Sequence, residues 1–207
     1  MLDHMDHLYR LQKNDLQRGA AVLANAFEED PIWRELMMDA APAVRQAAFE
    51  TPLRYYWKYG AVYAASEKLE GVITWIPSEL ADMTMWRLIR SGALWVGVDL
   101  KEAVQLGRKM GPVFSPVQVD RKQNMQGRPY IYLPMLGVAA EQQGKGVGGR
   151  LLRALIAQCE QARRPLYLET ETESNVRWYT GYGFEVIKQI KLPVINLPMW
   201  EMVRRPQ

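Results

Sequence analysis

Apolar residues recur at helical spacing through Ala20, Val22, Leu23 and Phe27, with Asp15 placed to cap the segment and Pro31 to stop it or force a turn. Ahead of it, Leu8, Tyr9, Arg10 and Leu11 predict a short opening strand. A second helical pattern runs over 42–59 through Val44, Ala47, Phe49, Leu53 and Tyr56, with Pro52 as a kink or break and Gly60 as its end. Two runs of strand formers, 61–65 and 71–76, flank the polar stretch 66–70 and predict a hairpin closed by Pro77.

Over 82–110 the apolar positions favour helix: Met85, Leu88 and Ile89, then Leu94, Trp95, Val98 and Leu100, then Ala103, Val104 and Leu106. Their Met and Trp side chains read as core, with a lined substrate pocket as the alternative. Residues 111–127 carry Pro112, Pro116 and the polar run 120–124, and read as a connecting loop. The last third is the most regular: a strand over 130–138, a glycine-rich turn over 143–149, a helix to 162, a strand over 166–170, a short helix over 175–181, and strands over 184–191 and 197–204.

Composition narrows the class. With 207 residues, 48% hydrophobic and 24% charged, the chain is expected to form a single domain over 1–207. No apolar run reaches the roughly 18 residues that span a bilayer, and residues 1–10 are unlike a signal peptide, so the expectation is a cytoplasmic protein without a membrane partner. A lone Cys159 and two histidines, His4 and His7, argue against a disulfide framework, a zinc cluster and a Cys–His acyl relay; no metal is expected. The 26 basic and 23 acidic residues are interspersed at a net charge of +3, which gives no footprint for nucleic acid.

The chemistry concentrates after residue 136. There a strand leads through a short polar link into Gly144, Gly146, Gly148 and Gly149 and then into an apolar-periodic helix. Glycines let several backbone N–H groups converge on a phosphate, and the helix N-terminus adds its unpaired amides and partial positive charge. The plain alternative is a tight turn with close helix packing. Gly144, Gly146 and Gly149 also satisfy G-x-G-x-x-G, and Glu169 lies 20 residues beyond, as in a dinucleotide fingerprint. Against that stand residues 139–143, which separate strand from turn, and the lack of further alternating strands and helices. A Walker loop fails because Gly146, not Ser or Thr, follows Lys145.

Residues 138–148, V-A-A-E-Q-Q-G-K-G-V-G, resemble the acetyl-CoA motif of the GNAT superfamily of N-acetyltransferases, V-x-P-x-x-[QR]-G-x-G-[IVL]-[GA], with Ala140 at the usual proline. Downstream, Asn175, Tyr179, Gly183 and Phe184 are similar to the family's N-x-x-[FL]-Y-x-x-x-G-F, with Trp178 at the Phe or Leu position. The resemblance is closest over 130–186. Upstream, Ala26, Phe27, Asp30 and Pro31, together with 71–77, look like puromycin-acetyltransferase-like members.

The resemblance implies an α/β fold of the mixed α+β kind: a curved, mostly antiparallel mixed sheet with a central parallel pair, flanked by helices. It implies acetyl-CoA as cosubstrate and transfer of an acetyl group, by direct attack, to a primary amine of a small molecule or peptide. The backbone of Leu136, Gly137 and Val138 would meet the pantetheine arm, and the amides of Gln143, Gly144, Lys145, Gly146, Val147, Gly148 and Gly149 the pyrophosphate. Lys145 and Arg150 would be phosphate-side charges or plain solvated cations. Tyr179 would be the general acid and a coenzyme contact, against the alternative of a packed aromatic; Asn175 would touch the coenzyme arm, or it or Ser174 would cap its helix. Glu169 is the first choice for general base, with a salt-bridged Glu169 as the alternative and Glu28, Glu29 and Asp30 as loop candidates.

A non-catalytic acyl-CoA-binding sensor or interaction module is the other class. The acceptor pocket would come from 27–42 and 82–127, with Trp33, Trp86 and Trp95 expected to be buried. Small-molecule, peptide and protein amines all remain open as acceptors. A homodimer is the default on symmetry statistics alone.

Overall fold

The computed structural model describes residue 5, residues 7–94 and residues 96–207; His4 and Trp95 lie outside the described residues. Seven strands form one sheet in the order β1-β2-β3-β4-β5-β7-β6. They are β1 (Tyr9–Arg10), β2 (Ala61–Ala64), β3 (Gly71–Pro77), β4 (Ile131–Val138), β5 (Leu166–Thr170), β6 (Glu185–Lys191) and β7 (Pro198–Arg204). Every neighbouring pair is antiparallel except β4 and β5, which run parallel. The expected mixed sheet with a central parallel pair is therefore observed.

Helices cover both faces. The amphipathic α6 (Val147–Gln161) sets Leu151, Leu152, Leu155 and Cys159 against Ile73, Ile131, Leu166, Leu168 and Met202. On the other face α1 (Leu16–Ala26) and α3 (Pro42–Tyr59) bring Leu16, Leu23, Phe49 and Leu53 onto Val62, Val72, Ile76 and Met135. Strand β3, buried along nearly its whole length, is shared by the two layers. Among the described residues no helix is long and apolar enough to cross a membrane.

Several local expectations are corrected. Asp15 precedes α1 but does not cap it: its carboxylate accepts from the Tyr9 hydroxyl at 2.7 Å and the Gln12 amide at 2.9 Å, closing the preceding turn. Pro31 opens a helix, α2 (Pro31–Met37), because Asp30 accepts from the amides of Ile32 and Trp33, both at 3.0 Å, and proline is suited to a first helical position. Helix α3 runs unbroken through Pro52, with Ala48, Phe49, Leu53 and Tyr56 buried around it.

The largest difference lies at 111–127. Helix α4 (Met85–Ser91) is short, and α5 (Leu100–Met125) continues through Pro112 and Pro116 over the segment read as a loop. Its start is fixed by a reciprocal cap in which Asp99 accepts from the Glu102 amide at 2.7 Å and Glu102 accepts from the Asp99 amide at 3.2 Å. Val113, Val117 and Arg121, four residues apart, bury one stripe and keep the helix regular despite two missing donors. Of the Met and Trp residues ahead of it, Met85 and Trp86 are not core: they are 64% and 65% exposed.

Candidate functional site

The site begins with a fault in the sheet. Thr74 pairs with Met135 and Ile76 with Tyr132, so two residues of β3 advance while three of β4 do. The extra residue is accommodated at Leu133 and Pro134, and the Thr74 hydroxyl stitches the bulge, donating to the Met135 carbonyl at 3.3 Å and accepting from the Met135 amide at 3.2 Å. Pro134 has no N–H to offer the next strand. Accordingly β4 and β5 pair only at Ile131–Leu166 and Tyr132–Tyr167, although β4 runs on to Val138 and β5 to Thr170. Beyond the bulge the two strands splay, leaving the β5-facing backbone edge of Leu136, Gly137 and Val138 without a ladder partner.

At the open end of that splay the chain turns into α6. Ala139 donates to the Glu70 carbonyl at 3.0 Å and Ala140 to the Asn25 side chain at 3.0 Å. The second bond explains the departure from the family motif, since a proline at 140 would have no hydrogen to donate. The Gln143 amide is taken up within the turn by the Ala140 carbonyl at 3.3 Å, and its side chain donates to the Val138 carbonyl at 3.2 Å. Gly144 and Gly146 hold φ of +74° and +78°, and a Cβ at either would meet nothing within 4 Å, so open space lies in front of both. The first helical bond of α6 runs from Arg150 to Gly146, leaving the amides of Val147, Gly148 and Gly149 without intrahelical acceptors. Lys145 reaches Gln142 at 3.4 Å, and Arg150 is fixed on the Ala65 carbonyl at 2.9 Å, which ties α6 to the hairpin.

At the inner end of the splay is a cavity of about 130 Å³ whose walls include Leu136, Glu169, Glu171, Asn175 and Tyr179. Asn175 and Tyr179 face it from α7 (Glu173–Thr180), one helical turn apart. That helix is capped by Thr172, whose hydroxyl accepts from the Asn175 amide at 3.2 Å; neither Ser174 nor Asn175 is the cap. Tyr179 packs edge-on against Trp178 and Phe184, at 4.9 and 5.4 Å between ring centroids. Burial first, and the nearby Glu171 carboxylate second, push its phenol well above the ordinary tyrosine range, so it stays protonated at neutral pH.

Glu169 reaches the cavity from β5 with a side chain only 7% exposed. The Arg121 guanidinium of α5 lies 3.4 Å away and also stacks over the Tyr132 ring at 4.0 Å, while the Tyr132 hydroxyl donates to Glu169. Burial outweighs both partners and pushes the Glu169 carboxyl up to about 7. Burial first, and a hydrogen bond to the Asp30 carboxyl second, push the carboxyl of Glu171, which sequence reasoning did not single out, well above the usual carboxylate range. Glu28 and Glu29 are exposed instead, on an outer cleft of about 810 Å³ between α1, α2 and α3. Phe27 and Trp33, 6.4 Å apart between centroids, line both spaces and form the wall between them. Trp33 is half-buried there, whereas the exposed Trp86 lines neither.

A family model described as an acetyltransferase (GNAT) domain matches residues 116–186, the stretch that contains the bulge, the glycine turn and α7. An uncharacterized N-acetyltransferase of Schizosaccharomyces pombe is 24% identical over 214 residues, covering 96% of this chain and 83% of the relative. Among solved structures, one described as histone acetyltransferase HPA2 and related acetyltransferase from Corynebacterium glutamicum superposes with a TM-score of 0.66 at 21% identity, covering 97% of this chain and 96% of the other. A putative arylalkylamine N-acetyltransferase 7 from the yellow fever mosquito has a TM-score of 0.66 at 14% identity, covering 95% and 85%. Residues 116–186 thus match an acetyltransferase (GNAT) domain, and the chain as a whole shares its fold with the acetyltransferases it resembles.

Proposed function

We propose that the chain is an acetyl-CoA-dependent N-acetyltransferase acting on a primary amine carried on a small molecule or a peptide end. The observation that carries the reading is the junction of three features along one splay: open glycine amides at its mouth, an unpaired β4 edge along it, and Tyr179 with Glu169 at its inner end. The residues present fit the carrier, because the space before Gly144 and Gly146 is one that any side chain would fill.

The amides from Gly144 to Gly149 would bind the diphosphate, helped by the positive end of α6. The open edge of Leu136, Gly137 and Val138 would receive the pantetheine amides as an added strand. Acetyl-CoA would supply a thioester carbon open to amine attack and a sulfur that needs a proton as it leaves. Tyr179, kept protonated by burial, would donate that proton, and Asn175 would orient the arm beside it. Glu169, whose proton affinity sits near neutral, would take the proton that the attacking nitrogen sheds. The acceptor would enter from the outer cleft past Phe27 and Trp33, a wall suited to an amine on a slim apolar or aromatic body.

The test combines two measurements. Calorimetric titration is expected to show acetyl-CoA binding, and an amine panel containing phenethylamine, hexylamine and putrescine is expected to release free thiol over many turnovers. Failure to bind acetyl-CoA would refute the reading. Binding without turnover on any member of a broad amine library would favour the sensor reading instead.

A further inference from the structure

Glu169 does not stand alone beneath the sheet. It is the cross-strand partner of Glu201 in β7, so the two side chains leave the same face with Cβ atoms about 5 Å apart. Glu201 is fully buried and lies outside the walls of the cavity. It accepts from the Tyr167 hydroxyl at 2.6 Å and from the Asn124 side-chain amide of α5. Next to this pair two buried polar atoms have no hydrogen-bond partner among the described residues: Arg121 Nε, a donor, and Glu201 Oε1, an acceptor. Buried polar atoms of opposite kind on adjacent groups are the setting in which an ordered water is retained. Two carboxyls and one guanidinium also leave the group one positive charge short, so it has room for one exchangeable proton.

We propose that Glu201 is a positioning residue for Glu169: the charge it holds across the strand pair sets how tightly Glu169 keeps the proton taken from the acceptor. The inference rests on the reading of Glu169 as general base. The other groups facing Glu169 hold their charge state near neutral pH. Arg121 from α5 stays cationic, and Tyr56 from α3, Tyr130 just before β4, Tyr132 from β4 and Tyr167 from β5 stay neutral because burial raises all four phenols. Glu201 is also raised, by burial first and by the Asp120 charge, against the bonds from Tyr167 and Asn124 and the charge of Lys188. Asp120 and Lys188, 2.7 Å apart, mark the outer end of the same network. Glu201 is thus a buried like charge beside Glu169 that holds the Glu169 carboxyl up, and its removal is the change to which Glu169 should respond.

The experiment is a carboxyl carbon NMR titration of the full chain with labelled glutamate, assigned by Glu169→Gln and Glu201→Gln. In Glu201→Gln the Glu169 midpoint is expected to fall by about one pH unit, a tenfold loss of proton affinity, because a like charge a few ångströms away has been removed. Tyr167→Phe weakens the hold on the Glu201 carboxylate and is expected to lower the Glu169 midpoint in the same direction by less. It serves as the test should Glu201→Gln fail to fold. An unchanged Glu169 midpoint in a folded variant overturns the proposal. The acid limb of kcat with the most active amine of the panel must move with the NMR midpoint; a limb that stays put also overturns it. Full turnover by Glu169→Gln would locate the failure in the base assignment itself, whereas a dead Glu169→Gln with an unmoved Glu201→Gln midpoint would locate it in Glu201.

Discussion

Replacing Glu169 by Gln should remove a pH dependence of stability that the structure attributes to this one carboxyl. Its side chain is 7% exposed, and burial lifts it from 4.5 to about 7 in the fold against the pull of Arg121 and the Tyr132 hydroxyl. A carboxyl whose folded value lies above its unfolded one favours the native state while protonated. That contribution is fully present below pH 4.5 and is lost as the pH rises through 7. At about 1.4 kcal/mol per unit, the shift corresponds to roughly 3 kcal/mol of stability lost between pH 5 and 8. Urea unfolding at fixed pH steps reads it directly. The variant carries a constant offset, because Arg121 loses its anion and does not itself titrate, but its stability should decline less over that interval by about the same 3 kcal/mol. Parallel stability curves for the two proteins would refute the assignment of a raised proton affinity to Glu169.

Three further outcomes follow from the same geometry. Tyr179→Phe removes a hydroxyl that the fold keeps protonated and should lower kcat by roughly a hundredfold in steady-state thiol release, with the calorimetric affinity for acetyl-CoA nearly unchanged. Gly146→Ala forces a side chain to φ +78° without striking any neighbour, so thermal unfolding should show a loss of only about 1–2 kcal/mol, while titration shows acetyl-CoA affinity down roughly tenfold or more. Gly137→Ala would set a Cβ 2.9 Å from Leu23 and 3.0 Å from Ala26, and should cost about 1–3 kcal/mol in urea as α1 is pushed off β4.

The carboxyl-terminal third was legible because its signals are local. Alternation in β4, the apolar stripe of α6 and closely spaced glycines each need only a short window, and Tyr179 falls one turn after Asn175 on a single short helix. Helix α5 was hidden for the opposite reason: Pro112 and Pro116 are strong breakers in isolation, and only the burial of Val113, Val117 and Arg121 against the sheet overrides them. The break expected at Pro31 exists, with α1 ending at Ala26 and a turn at 27–29, but the sequence pattern did not show that Asp30 makes the same proline the start of a new helix. Arg121 and Glu169 are 48 residues apart, and Glu171 meets Asp30 across most of the chain. No spacing rule links such residues, so the electrostatics of the cavity emerged only with the tertiary structure.

Soaking or co-crystallising the protein with acetyl-CoA tests the central claim most directly, through the position of the coenzyme sulfur and diphosphate. The account predicts the diphosphate over the amides of Gly144 to Gly149, with the sulfur within hydrogen-bonding reach of the Tyr179 hydroxyl. A carrier bound in the outer cleft, or a diphosphate held elsewhere with Tyr179 turned away from the sulfur, would contradict it.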